Sequence, residues 1–166
     1  MLETPRLLMR PFTLDDVDAF WAMNADPAIV RYTGQDPITS RAEAEEKLIA
    51  APLADYAKYG YGRLAVVHKE SDRVIGFCGI KHLPEFSLPE LGYRLLPAFW
   101  GQGLITEAAR PVLAHGHQEL ALAKIIALIH PDNIGSIKVA EKLGMARKEQ
   151  LRYAGMPVWC YASEPR

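Results

Sequence analysis

Cysteine is scarce here: Cys78 and Cys160 are the only two among 166 residues. Both sit inside apolar, strand-like runs, which favours buried free thiols in a reducing compartment over a disulfide. No group of Cys and His has metal-ligand spacing; His115 and His117 on a predicted helix are a loose pair, and no metal is expected. A basic excess is also missing. Lys and Arg number 19 against 20 Asp and Glu, a net charge of −1 that argues against a general grip on nucleic acid. No apolar run approaches the roughly 18–20 residues of a membrane span. The start Met1-Leu2-Glu3-Thr4-Pro5-Arg6 has no signal-peptide pattern, so a cytoplasmic protein off the membrane is expected. Repeats, low-complexity tracts and linkers are absent, and the length suits one domain over residues 1–166 with a single substantial core.

What is present reads as a mixed α/β chain. Residues 4–10 form a first strand closed by Pro11. Thr13-Leu14-Asp15-Asp16 has the form of a capping box, followed by the helical stripe Leu14, Val17, Phe20, Trp21 and Met23. Pro27 and Gly34 punctuate a loop that carries Arg31 and Tyr32. Ser40-Arg41-Ala42-Glu43 opens a second helix through Leu48, Leu53 and Tyr56, which Pro52 should kink or split and which Gly60 and Gly62 end. Residues 63–68 and 74–80 are apolar strands joined by a short polar turn, hence an antiparallel hairpin. Residues 84–89 are a loop. Residues 124–129 form a buried strand. Asn133 is placed as the N-cap of a short helix with Ile137, Ala140 and Leu143, stopped by Gly144. Residues 157–162 are a last strand and 163–166 a tail. Strands interleaved with helices in this order suit a mixed sheet covered by helices.

The chain is organised around residues 91–109. Leu91 to Leu96 is a strand that Pro97 ends, because proline cannot donate to a ladder. Gly101 and Gly103 then allow a sharp turn, and Ile105, Ala108, Ala109, Val112 and Leu113 fall on one helical stripe. A glycine turn feeding a helix N-terminus suits a phosphate or pyrophosphate, although an ordinary strand-to-helix turn has the same spacing. A P-loop is excluded because no Gly-Lys-Ser/Thr follows at the required distance. The dinucleotide fingerprint fails too: Thr106 occupies the third glycine position, and Lys124, Ile125 and Ile126 stand where an acid is needed.

The segment Phe99-Trp100-Gly101-Gln102-Gly103-Leu104-Ile105-Thr106-Glu107-Ala108 resembles the acyl-CoA pyrophosphate loop of the GNAT N-acetyltransferases. The resemblance is strongest to the branch of the ribosomal-protein N-terminal acetyltransferases RimJ and RimL. Trp100 replaces the family's Gln/Arg, and Ile105 stands where Gly or Ala is usual. The opening 3–12 and the run 74–79 also resemble that branch. So does the segment from His130 to Met145, with Asn133, Ser136 and Glu141-Lys142-Leu143-Gly144. The likeness implies a mostly antiparallel sheet of six or seven strands, splayed at a cofactor cleft. It also implies direct acetyl transfer from acetyl-CoA to an amine, in a monomer or homodimer.

On that resemblance, Leu95, Leu96, Trp100, Gly101, Gln102, Gly103, Leu104, Ile105, Thr106, Asn133 and Ser136 are the expected cofactor contacts. Helix N-terminal and glycine-turn N–H groups would meet the pyrophosphate, and backbone N–H groups near Leu95 and Leu96 would meet the thioester oxygen. An attacking amine must first lose a proton, from a pKa of about 8 for an α-amino group or about 10.4 for lysine. Glu90 is the first candidate for that base and Glu85 the second; the other reading of Glu90 is an exposed strand-end charge. The tyrosine that many relatives use to protonate the CoA thiolate is replaced by Ala140. Ser136 is the expected substitute, as a hydrogen-bond donor to sulfur, or else a helix-capping residue; Asn133 is expected to cap, touch the cofactor, or both. The acceptor is expected near Arg31, Tyr32, Thr33 and the turn from Tyr153 to Met156. It would be a protein N-terminus, an amino acid or a small amine. A non-catalytic acyl-CoA-binding module is the alternative.

Overall fold

The computed structural model describes residues 1–165; Arg166, the last residue of the expected tail, lies outside the described residues. Eight strands form one sheet: β1 Leu2–Glu3, β2 Leu7–Pro11, β3 Arg63–His68, β4 Arg73–Leu83, β5 Leu88–Leu95, β6 Ile125–Ile129, β7 Ala146–Tyr153 and β8 Met156–Ser163. Their order across the sheet is β1-β2-β3-β4-β5-β6-β8-β7. Every neighbouring pair is antiparallel except β5 and β6. The expected six or seven strands become eight. β2 takes up the expected first strand from Leu7 onward, while β1 ahead of it and β7 have no counterpart in the sequence reading. β7 begins Ala146-Arg147-Lys148-Glu149-Gln150 and lies at the sheet edge almost fully exposed. β7 buries no residue fully, so it lacks the alternation by which strands are read.

The helices are α1 Val17–Ala25, α2 Pro27–Val30, α3 Arg41–Leu48, α4 Ala54–Tyr59, α5 Leu104–Gln118 and α6 Ile134–Lys142. Both capping signals are used. Thr13 and Asp16 form the reciprocal box on a 3₁₀ turn ahead of α1, and the Ser40 hydroxyl accepts from Glu43 N–H. Pro52 sits in a π-helical turn, Ile49–Leu53, that separates α3 from α4; a missing N–H and a steric clash at i−4 disfavour regular helix there. α2, expected as loop, is one turn opened by Asp26 and Pro27.

Helices cover both faces of the sheet. One face buries Leu7, Met9, Val66, Cys78, Ile80, Leu91 and Leu95 beneath α5 through Ala108, Ala109 and Val112. The opposite face buries Ala65 and Phe77 with Phe12, beneath Phe20 and Met23 of α1 and Ala44 and Leu48 of α3. Cys78 and Cys160 are free and buried. Among the described residues no helix is long and apolar enough to cross a membrane.

Candidate active site

The sheet is interrupted beside β5. Strands β5 and β6 are parallel and share one paired position, Glu90 opposite Ile126; beyond it they separate. The other edge of β5 stays paired with β4 from Leu88 to Leu95, and Leu96 N–H donates to Ile75 O at 2.8 Å. Ladder alternation therefore turns the N–H groups of Tyr93 and Leu95 away from β4 into the opening. Leu96 N–H, one of the two groups expected to be free, is spent inside the sheet. The expectation is corrected to Leu95 with Tyr93, because alternate residues of a strand donate to opposite edges.

The glycine turn lies beyond the end of β5. Gly101 and Gly103 take φ of 77° and 76°, the left-handed region that suits glycine, and Gly103 is the N-cap of α5 without a side-chain cap. The first N–H groups of α5 thus point out unmatched by any side chain among the described residues, a donor set that fits a diphosphate. Trp100 is half-exposed, and its indole N–H donates to Leu95 O at 2.8 Å, tying the turn to the strand end. Ile105 packs against the core cluster under α5 and does not stand free in the turn.

Arg6 has no role in the sequence reading, yet it reaches this turn. Its Nε donates to Glu107 Oε1 at 2.8 Å and its Nη1 to Gln102 O at 3.1 Å, while Glu107 Oε2 also accepts from the Thr4 hydroxyl. Burial alone would raise the Glu107 carboxyl, but the bonds from Thr4 and Arg6 outweigh it and hold it lowered. A cation is thereby held beside the α5 N-terminus. The signal was the matched pair Glu3-Thr4-Pro5-Arg6 and Thr106-Glu107-Ala108, about a hundred positions apart in the chain.

On the far side of the opening, Asn133 caps α6 by accepting from Ser136 N–H at 3.3 Å. The Ser136 hydroxyl makes no hydrogen bond among the described residues, so capping falls to Asn133. Ser136 O accepts from the Tyr93 hydroxyl at 2.8 Å, which bridges β5 to α6.

Glu90 is not the exposed strand-end charge of the alternative reading. It is 5% exposed, and its Oε1 accepts from Arg63 Nη2 at 3.0 Å. Burial raises its pKa; the charge and hydrogen bond of Arg63, and the charge of Lys81, oppose this without cancelling it. Gly92, the next residue on the same face of β5, leaves room for Arg63: a Cβ there would lie 3.0 Å from its Nε and Nη2. Glu85 lies exposed in the β4–β5 turn.

A cavity of about 230 Å³ opens on the α1/α3 face, with Asn24, Asp55, Arg63, Phe77, Lys81 and Arg94 in its wall. None of Arg31, Tyr32, Thr33 or residues 153–156 lines it. Next to the first predicted acceptor segment, Gly34 packs on Ala154 of the second, and the Tyr32 ring lies 5.1 Å from that of His130. The partly buried Tyr153 phenol has its pKa raised, chiefly by burial, and its ring lies 5.9 Å from that of Phe86. His117, the second of the loose histidine pair, is held by Leu122 O and the Ser163 hydroxyl.

Comparison with known proteins agrees with this architecture. An acetyltransferase (GNAT) domain model matches residues 6–146. The uncharacterized N-acetyltransferase p20 of Bacillus licheniformis is 31% identical over 153 residues, covering 91% of this chain and 85% of its own. The solved acetyltransferase from Agrobacterium tumefaciens superposes with a TM-score of 0.85 at 27% identity, covering 99% of this chain and 94% of the other. RimL, a ribosomal alpha-N-protein acetyltransferase solved with coenzyme A, superposes with a TM-score of 0.81 at 18% identity, covering 97% and 95%; that likeness is one of fold.

Proposed function

The chain belongs to the acetyltransferase (GNAT) family, an acetyltransferase with acetyl-CoA as cosubstrate, and from that premise we propose that it moves the acetyl group directly to a primary amine, with Glu90 taking the proton. The observation that carries this reading is the parting of β5 and β6 beside a buried carboxylate whose pKa is raised. Acetyl-CoA supplies the acyl carbon and a thiolate leaving group. The first turn of α5, the glycine turn and Arg6 would hold its diphosphate, and the N–H groups of Leu95 and Tyr93 would meet the acyl oxygen.

Balance requires that a C–N bond forms as the C–S bond breaks, and that the ammonium proton leaves the nitrogen. A carboxylate with raised pKa holds that proton better than an ordinary one, as a base working near neutral pH must. Glu90 Oε1 is engaged by Arg63, and Glu90 does not line the cavity, so the proton reaches it past Arg63 or through one water. Ser136, with its unengaged hydroxyl, is assigned the hydrogen bond to the departing sulfur.

The test has two parts. Acetyl-CoA at about a hundred times its dissociation constant adds about 2.7 kcal/mol, a melting shift of roughly 5–10 °C, where ATP gives none. Thiol release is then followed with a panel of amines, and Ser136→Ala should lower kcat several-fold. A shift without release from any amine would leave the non-catalytic acyl-CoA-binding module as the surviving account.

A further inference from the structure

Resting on the acetyl-transfer reading, we propose that the cavity on the α1/α3 face takes a small amine that carries its own carboxylate, an amino-acid-sized acceptor whose carboxylate docks on Arg94. The cations of the cavity are unequally matched. Lys81 Nζ meets Asp55 at 2.7 Å, Arg63 meets Glu90 at 3.0 Å, and Lys47 at the rim meets Glu43 at 3.4 Å. Arg94 meets no carboxylate among the described residues. Its one hydrogen bond runs from Nη1 to Asn24 Oδ1 at 2.7 Å, and Asn24 is buried and pinned by donating to Phe20 O at 2.7 Å.

A guanidinium has five N–H donors in a planar fork, so four remain on Arg94. Its Cζ lies 4.8 Å from the Phe77 ring centroid, as does that of Arg63, so the aromatic ring positions both guanidinium groups. Arg63 Nε is itself buried with no partner among the described residues. Burial and the neighbouring Arg63 charge weaken the hold of Arg94 on its proton, pushing its pKa down to about 9. A carboxylate accepting two N–H groups side by side would relieve both the desolvation and the repulsion.

Size and charge narrow the class. At about 230 Å³ the cavity is below the roughly 300–1,000 Å³ of sites for drug-sized ligands. One unmatched guanidinium suits a single negative charge better than the nearly double charge of a phosphate monoester. Four cations against two carboxylates, Asp36 and Asp55, line the cavity, so a polyamine meets repulsion. Asp36 is exposed where it lines the cavity. Glu90 lies on the same face of β5 as Arg94, with Gly92 between them, so an acceptor held at Arg94 extends its nitrogen along the strand toward the base.

The experiment measures initial rates of thiol release at saturating acetyl-CoA. The acceptors are glycine, L-serine, L-methionine, β-alanine and 4-aminobutyrate, the amides of the same five acids, and spermidine. At least one free acid should exceed its amide by about 10- to 100-fold in kcat/KM, the range that loss of a buried hydrogen-bonded charge commands. Arg94→Gln should collapse that ratio toward one, chiefly through KM, and Arg94→Lys should restore part of it by keeping the charge without the fork. Amides or spermidine turning over as well as the acids would overturn the proposal while leaving acetyl transfer intact. Should no amine release thiol, the transfer reading fails. The pocket is then read by the melting shift of the acetyl-CoA complex with each acid and its amide: acids alone shifting it supports the docking site, and equal shifts overturn it.

Discussion

Glu90 is a residue whose environment inverts its expected behaviour. A carboxyl in water titrates at about 4.3; buried against the sheet, Glu90 keeps its proton to higher pH, and the cation of Arg63 limits the rise. The basic form is therefore lost as pH falls through a value above the ordinary carboxylate range. The acid limb of kcat/KM should lie there, and Glu90→Gln should abolish the limb and lower kcat by about 10²- to 10⁴-fold, while the acetyl-CoA melting shift shows the fold intact. A variant retaining the limb would move the base elsewhere. At this scale the sequence was informative about residue type and silent about partners. Glu90 was legible as an acid near the cleft; that Arg63, 27 residues away in the chain, pairs with it and Arg94 goes unpaired depends on β3, β4 and β5 lying in register.

Elements begin and end where local chemistry says they should, and the Thr13 box is the clearest case. The Asp16 carboxylate accepts from Thr13 N–H at 2.8 Å and from both Arg10 Nη atoms at 2.8 and 2.9 Å. Burial pushes its pKa up, but the Arg10 bonds and the Thr13 N–H outweigh that and hold it below the usual aspartate value. A depressed carboxyl contributes stability that is present above its unfolded pKa, about 3.9, and lost as pH falls through the folded value. Asp16→Asn should therefore cost about 2–3 kcal/mol at neutral pH, a drop of roughly 5–10 °C in Tm, and the gap from the parent protein should close below about pH 4. A gap that persists at pH 2–3 would mean the loss is one of packing. Caps of this kind were legible because donor and acceptor lie within three residues of one another.

For the whole molecule, the decisive feature is that the sheet is continuous on one side of β5 and open on the other. Amides facing β4, such as Arg94 and Leu96, should exchange with deuterium slowly. Those of Tyr93 and Leu95 should exchange quickly in the free protein and slow by at least about tenfold when acetyl-CoA is bound. Equal protection of the four in the free protein would close the opening. Continuity also explains how Arg6 comes to serve the turn before α5. The β1–β2 segment packs under that helix, and the Arg6–Glu107 pair ties it to the first turn of α5.

Local and periodic information was enough to read helix caps, breakers, the apolar stripe of α5 and a glycine turn, because each is set by residues within one or two turns of each other. The two signature segments were enough for the family. The edge strand β7, the loss of Leu96 N–H to the sheet, and the cation-rich cavity were decided only by tertiary structure. They depend on which strands become neighbours, on which edge each N–H then faces, and on which charges are left unpaired when α1 and α3 close over the sheet.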